Sequence, residues 1–433
     1  MSERNLVNGD NNPVGAIFAE GARARKEALR RDIIPPQMLA LHDNSTIHIH
    51  DMEYYGSAYT CIGVSVERLV GSKAGDFCDV CRRLIREIVS LTNAQSAGIG
   101  FINFDTDMAA YIGTEDDAEL KRALRDLILD LNINLRRGCE KPYVSFNFGL
   151  DTSTNGRRVI RLLLEAFSEG DDGMPYIFPN LIFKLRSGVN AKPADPNFDM
   201  LMLSAKTTAA CMMPTYFNAD ASYNASYSPE TIGIMCCRSR LAENDFGEKG
   251  ALYRGDVAVA TINLVQLALE SKKARSEFYR LLDDTMDSAC DMLIHRFETL
   301  AKRGFFEYVR NKGLYLDSTK DACAMLKNGT LDIGFIGLWE CVCVLNPGGS
   351  LKQIQRKGLA IVEFMRAKTD KYIASKGYNF SLLATPAEGV SGEFPEHDRK
   401  VYGSIEGVTD KGYYTNSFHV PVDQAWHVFD KID

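Results

Sequence analysis

The sequence predicts an α/β fold: a largely parallel sheet, open or closed, covered by helices. Three observations predict it. Short apolar or alternating runs take turns with long stretches of helical periodicity. No internal repeat, low-complexity tract or linker interrupts the alternation. At 433 residues, 45% hydrophobic and 25% charged, the chain has ordinary globular composition and enough length to bury a large core.

In chain order, the pattern from Pro13 to about Leu41 reads as an amphipathic helix ended by Pro35 and Pro36, because proline cannot continue the hydrogen-bond ladder. His42–Asp51 reads as extended. Apolar residues at three- and four-residue steps predict helices over Gly75–Ala94 and Glu115–Leu135, then Ser271–Ala301 and Ile354–Ser375. Strands are expected in Tyr143–Phe148, Ile177–Leu185, Val257–Leu267 and Leu331–Leu338. The polar, Gly-rich stretch Asn218–Gly255 breaks the pattern and holds adjacent cysteines, which suits a functional loop better than a linker.

Charge and targeting narrow the function. The net charge of −7 arises from mixed Lys, Arg, Asp and Glu, with no basic block to track a phosphate backbone, so nucleic acid is excluded as the expected partner. Phosphate binding should be local, at helix N-termini. The N-terminal MSERNLVNGDNNPVGAIF has no cationic segment with an apolar core, and no run approaches a membrane span, so a cytoplasmic protein without a membrane partner is expected. Eleven scattered cysteines in such a chain argue against a disulfide framework and leave some thiols for chemistry.

Three constellations carry candidate chemistry. In His48-Ile-His50-Asp51, alternation puts both histidines on one face of a strand. Without a third ligand at a recognisable spacing, hydrogen bonding to substrate or structure is preferred over a metal site. Met235-Cys236-Cys237-Arg238-Ser239 places two thiols in a polar loop beside Arg238 and Arg240, which favours reactivity; buried filler is the alternative. In Ser381-Leu-Leu-Ala-Thr385-Pro386-Ala387-Glu388, Thr385 is expected to cap a helix beginning at Pro386, with Glu388 completing a capping box. Such an end can hold phosphate, though it can also be an ordinary cap. Cys78 and Cys81 sit mid-helix and Cys341 and Cys343 in an apolar run, so packing is expected of both pairs.

The blocks HIHDMEYY, MPYIFPNLIFKLRSGVN, CCRSRL, VAVATINLVQLAL, LDIGFIGL, FSLLATPAE and YGSIEGVTDKGYYTNSFHVPV resemble, in order, those of the anaerobic (class III) ribonucleoside-triphosphate reductases. The resemblance runs from about residue 13 to the last. It implies a ten-stranded α/β barrel of the glycyl-radical enzyme type, pierced by a finger loop whose cysteine, matched by Cys237, becomes a thiyl radical. Such an oxidoreductase removes a hydrogen from the ribose 3′ carbon, expels the 2′ hydroxyl as water and returns a hydrogen. The resemblance further assigns Cys61 to a second cysteine on the opposite barrel face, and Asn263 to an asparagine near the sugar and the reductant formate. Met235 matches a methionine beside the radical cysteine, and His48 a histidine beside the substrate. Ser381 and the run Thr385, Pro386, Ala387 and Glu388 match the substrate-phosphate loop.

Two departures accompany the match. Cys236 stands where relatives commonly have glycine, and the histidine block lies closer to Cys61 than is usual. The sequence contains no glycine-radical motif and no four-cysteine zinc module, so the resemblance implies a catalytic barrel (residues 1–433, with an N-terminal helical part over 13–47 and a finger loop within 218–255) completed by a separate C-terminal glycyl-radical polypeptide, with a truncated chain or an intein-divided precursor as the alternatives. About 47 residues precede His48, too few for an ATP-cone. Implied partners are ribonucleoside triphosphates, ATP and dNTP effectors, a 4Fe–4S, S-adenosylmethionine-dependent activase and a second copy of the core in a homodimer; zinc is expected only in the missing segment. A noncatalytic nucleotide-binding remnant and a glycyl-radical enzyme of another substrate are the competing readings. Joint retention of Cys61, Cys237, Asn263 and the Thr385–Glu388 loop favours the reductase.

Overall fold

Eight consecutive residues, Asp256–Asn263, form a strand buried along its whole length, as a continuous apolar run predicts for a parallel sheet covered on both faces. The computed structural model describes residues 13–73, 75–135, 140–235, 239–272, 274–387, 389–416, 418–421, 423–424 and 427. Its strands are β1 (Ile47–Ile49), β2 (Ile62–Val64), β3 (Ile99–Phe101), β4 (Val144–Phe148), β5 (Asn180–Leu185), β6 (Thr215–Asn218), β7 (Gly233–Ile234), β8 (Arg240–Leu241), β9 (Asp256–Asn263), β10 (Thr330–Ile336) and β11 (Asn379–Ala384).

Two sheets organise the molecule. One is all parallel in the order β2-β3-β4-β5-β6. The other has the order β1-β9-β10-β11, parallel except for β1, which runs antiparallel to β9 with His48 opposite Thr261. The described residues thus supply nine sheet strands toward the expected ten, and β7 with β8 makes a separate hairpin. The sheets meet where β2 crosses the lead into β9: Thr60 and Cys61 N–H both donate to Asp256 O (2.9 and 3.2 Å), and Gly63 N–H donates to Arg254 O (2.8 Å). One contiguous apolar core runs from Leu29 to Tyr414 and takes side chains from both sheets.

The helices follow their patterns. Asp117–Leu131 opens with a capping box between Asp116 and Glu119 and buries Leu120, Leu124, Leu127, Ile128 and Leu131 on one stripe. Burying each such side chain stabilises the fold by roughly 1.5–3 kcal/mol. Phe77–Thr92 buries Cys81 and leaves Cys78 half-buried, with burial pushing both thiols up, the behaviour of packing cysteines. Cys341 packs likewise in the helix Leu338–Leu345.

Two boundaries differ from expectation. The first helix ends at Asp32, and the prolines open a second one, Pro36–Asp43, because proline at the first helical position gives up an N–H that has no intrahelical partner. The run Val257–Leu267 changes from strand to helix at Asn263, whose side chain accepts from Gln266 N–H (3.2 Å) and starts Leu264–Glu270.

Candidate functional site

The stretch 218–255 is fastened by polar side chains of the five-stranded sheet. Asn147 on β4 donates to Ile234 O (3.0 Å) and accepts from Ile234 N–H (2.9 Å), pairing β7 as a neighbouring strand would. Lys184 on β5 donates to Pro229 O (2.8 Å) and Asn103 Oδ1 (3.0 Å), while Asn103 donates to Glu230 O (2.7 Å). Burial pushes the Lys184 ammonium down to about 8, against the pull of Asp105, Glu230 and Asp107. At the return end, buried Arg254 donates to Glu243 O (2.6 Å), Gly250 O (2.9 Å) and Asn328 O (2.7 Å).

The hairpin closes through Met235 N–H to Ser239 O (2.9 Å). Cys236, Cys237 and Arg238, the residues between, lie outside the described residues. Met235 rests on a slot left by two glycines paired across β2 and β3: a Cβ on Gly63 would lie 3.1 Å from Met235 Cε, and one on Gly100 3.0 Å from Met235 Sδ. There Met235 shares a small apolar cluster with Cys61, Ile102, Leu241 and Ala251.

Cys61 is held from several sides. Its Sγ–H donates to Asp256 Oδ2 (3.1 Å), and Asp256 N–H reaches back to Sγ (3.4 Å). Ser239 Oγ–H donates to the same carboxylate oxygen. Gly255 permits this approach, since a Cβ there would lie 1.7 Å from Cys61 O. The structure therefore brings together Cys61 and the two described residues that flank positions 236–238, Met235 and Ser239.

Ser381 lies opposite Asp332 and so level with Val259 at mid-strand, while the other remaining predicted residues gather toward the far end of β9, which at about 3.3 Å per residue is roughly 23 Å along the strand from Asp256. His48 and His50 lie on one face with ring centroids 4.9 Å apart. His50 Nε2 pairs with Thr261 Oγ1 (2.7 Å), which pairs with Thr385 Oγ1 (3.0 Å). Gly334 makes room for this chain: a Cβ there would lie 2.0 Å from Thr385 Oγ1 and 2.7 Å from Thr261 Oγ1. Ser381 donates to the buried Asp332 carboxylate. Asn263 Nδ2 donates to Asp398 Oδ2 (2.9 Å), as does Tyr414 OH (2.8 Å), and burial raises the Asp398 carboxyl above its usual range. Asn263 is thus committed to a helix cap and a carboxylate, and the described contacts do not bring it to Cys61.

No helix begins at Pro386, where one was expected. The helix begins at Val390, its N-cap is Gly389 without a side-chain cap bond, and the Thr385 hydroxyl is engaged with Thr261. Ala387 takes a left-handed conformation (φ 49°), so the chain turns before the helix starts, and Asn416 secures the turn by donating to Pro386 O. Glu388 lies outside the described residues.

Sequence reasoning missed Asp256, Ser239, Thr261, Asp332 and Asp398. The available signal was a lone acidic residue at the head or centre of an apolar strand, as in DVAVATIN and TLDIGFI, where an unpaired charge is costly and a partner is required. Among the described residues, no group of three or more His, Cys, Asp or Glu side chains is arranged to hold a metal ion, and no helix is long and apolar enough to cross a membrane.

Comparison with known proteins gives a consistent result. Residues 7–433 match the model of the family described as anaerobic ribonucleoside-triphosphate reductase. The chain is 29% identical over 457 residues to the anaerobic ribonucleoside-triphosphate reductase of Escherichia coli, covering 94% of this chain and 64% of that protein. It is 26% identical over 455 residues to the one of Enterobacteria phage T4, covering 93% and 74%. The chain therefore spans less than two thirds of its Escherichia coli relative. Among solved structures, the anaerobic ribonucleotide reductase from Thermotoga maritima with citrate in the active site superposes with a TM-score of 0.73 at 16% identity, over 96% of this chain and 80% of that one. The same reductase in complex with dATP and CTP also gives 0.73 at 16%, over 97% and 76%. These likenesses show a shared fold.

Proposed function

The chain belongs to the anaerobic ribonucleoside-triphosphate reductase family, and from that premise we propose that it reduces ribonucleoside triphosphates to 2′-deoxyribonucleoside triphosphates by thiyl-radical chemistry. The observation that supports the reading most directly is the meeting of Cys61 with Met235 and Ser239, the residues that bracket Cys236, Cys237 and Arg238. In this reading residues 1–433 form the catalytic barrel. Cys237 takes the hydrogen from the ribose 3′ carbon, Cys61 faces it from the residue just before β2, and both work in a site whose dry walls keep the radical from solvent.

The substrate triphosphate is assigned to the turn Thr385–Glu388 ahead of the helix Val390–Tyr402, where backbone N–H groups and the helix dipole favour anions. His48, with its neighbour His50, and Ser381 complete that side. Asn263 enters the reading as a residue that holds the wall of the sugar site through Asp398. The glycyl radical is assigned to a polypeptide segment outside these 433 residues, generated by a 4Fe–4S, S-adenosylmethionine-dependent activase, with formate as reductant. Nucleotide effectors, a homodimeric core and a cytoplasmic location belong to the same proposal; the Thermotoga maritima complex with dATP and CTP supports the nucleotides.

The test is anaerobic reduction of the four ribonucleoside triphosphates by this chain alone and with a C-terminal glycyl-radical polypeptide, activase, S-adenosylmethionine and formate. Deoxynucleotide formed only in the complemented mixture is the expected result. No product in a mixture that carries a demonstrated glycyl radical would favour the noncatalytic reading.

A further inference from the structure

One carboxylate oxygen serves two donors that arrive from different parts of the chain. Asp256 Oδ2 accepts from Cys61 Sγ–H at 3.1 Å and from Ser239 Oγ–H at the start of β8. Cys61 and Asp256 are fully buried and Ser239 nearly so. The backbone repeats the grip, because Thr60 and Cys61 N–H both donate to Asp256 O. A thiol is a weak donor with a freely rotating hydrogen, and a carboxylate is a strong acceptor that fixes where the hydrogen points.

We propose that Asp256 is a positioning residue for the reduction: its carboxylate orients the Cys61 S–H hydrogen and, through Ser239, ties the start of β8 to that thiol. This deepens the reductase reading and rests on it for its link to activity. The two tasks are joined through a single oxygen, so the direction of the S–H bond and the placement of Ser239 are set together. Either donor alone could be satisfied by water or backbone. Both together require an acceptor with several lone-pair sites at the junction of β2 and β9, which Asp provides and Asn or Ser provides less well.

The thiol itself gives a readout that does not depend on turnover. S–H stretching absorbs in an infrared window where other protein groups scarcely do, and the band moves to lower frequency as its acceptor strengthens. Subtracting the spectrum of Cys61→Ala isolates the Cys61 band. In Asp256→Asn the band should move up, since an amide oxygen is the weaker acceptor. In Ser239→Ala it should move down, since the carboxylate then serves one donor fewer. A general loosening of the site would move both the same way. A Cys61 band at one frequency in wild type and both variants would overturn the proposal.

In the complemented reductase mixture, Asp256→Asn should lower kcat by about tenfold with KM little changed, as expected when a group held for the reacting state is misdirected. Unchanged kcat in a variant whose band has moved would overturn the role in the reaction. If wild type is itself inactive in that mixture, the reductase reading fails, and the orientation of the thiol by Asp256 is still decided by the spectra.

Discussion

Asn147 and Ile234 form a reciprocal pair in which one side chain satisfies both backbone groups of a residue 87 positions away, donating at 3.0 Å and accepting at 2.9 Å. The side-chain amide copies the hydrogen-bond pattern of an adjacent strand, so β7 is held by the sheet without belonging to it. Asn147 also donates to Phe101 O (3.0 Å), which fixes the amide in that orientation.

Replacing Asn147 by Leu therefore removes the partner of Ile234 N–H and leaves Ile234 O with only the Ser145 hydroxyl at 3.4 Å, and an unpaired buried donor costs roughly 1–3 kcal/mol. The expected outcome is a clear drop in thermal midpoint, with far-UV circular dichroism of the folded state unchanged. Limited proteolysis should show new cleavage within 218–255 ahead of other sites. An unaltered midpoint would mean that stretch is held by other contacts.

Lys184 makes stability depend on pH in a defined window. Its folded pKa is held down to about 8 by burial, whereas an unfolded lysine titrates near 10.5. Between these values the unfolded chain binds more protons than the folded one, so stability rises with pH. Below pH 8 the buried charge is a constant cost. Relative to Lys184→Met, wild type should gain stability from pH 8 to 10.5 and show no trend between pH 6 and 7.5, measured by urea unfolding. A flat difference across both ranges would contradict the assignment.

Gly334 keeps Thr261 and Thr385 in contact. In Gly334→Ala the new methyl would sit 2.0 Å from Thr385 Oγ1, which forces the threonine pair apart and shifts the turn that follows β11. Nucleoside triphosphate binding, followed by calorimetry, should weaken by at least about tenfold, the scale of a lost hydrogen bond with local strain. Adding Thr385→Ala removes the clashing hydroxyl, so the double variant should recover thermal stability that the single one loses, a coupling that independent sites would not show.

Much of this architecture was legible in the sequence because long elements carry enough periodicity to declare themselves. β4 and β5 fall inside the predicted runs, as do Phe77–Thr92 and Asp117–Leu131, and β10 starts one residue before its run and ends two before the run's last residue. β2 and β3 escaped because three residues each cannot display a period, and the glycines that make the slot for Met235 carry no apolar side chain to mark a strand. The Thr385-Pro386 pair imitates a helix start, but the left-handed Ala387 lies between it and the helix, a backbone choice that residue types do not announce. At the site, the family resemblance pointed to Cys61 and to the stretch that holds Met235. Asp256 could not, because its partnership with Cys61 spans 195 residues and exists only after the two sheets meet.

The central claim is that Cys237 takes the hydrogen from the 3′ carbon of a ribonucleotide. The most direct measurement is anaerobic reduction of a ribonucleoside triphosphate deuterated at the 3′ position, in the complemented mixture, with wild type and Cys237→Ser side by side. The account predicts deoxynucleotide formation that slows with the deuterated substrate and disappears in the variant. Equal rates with both substrates across single-turnover conditions, or product formation by Cys237→Ser, would contradict it.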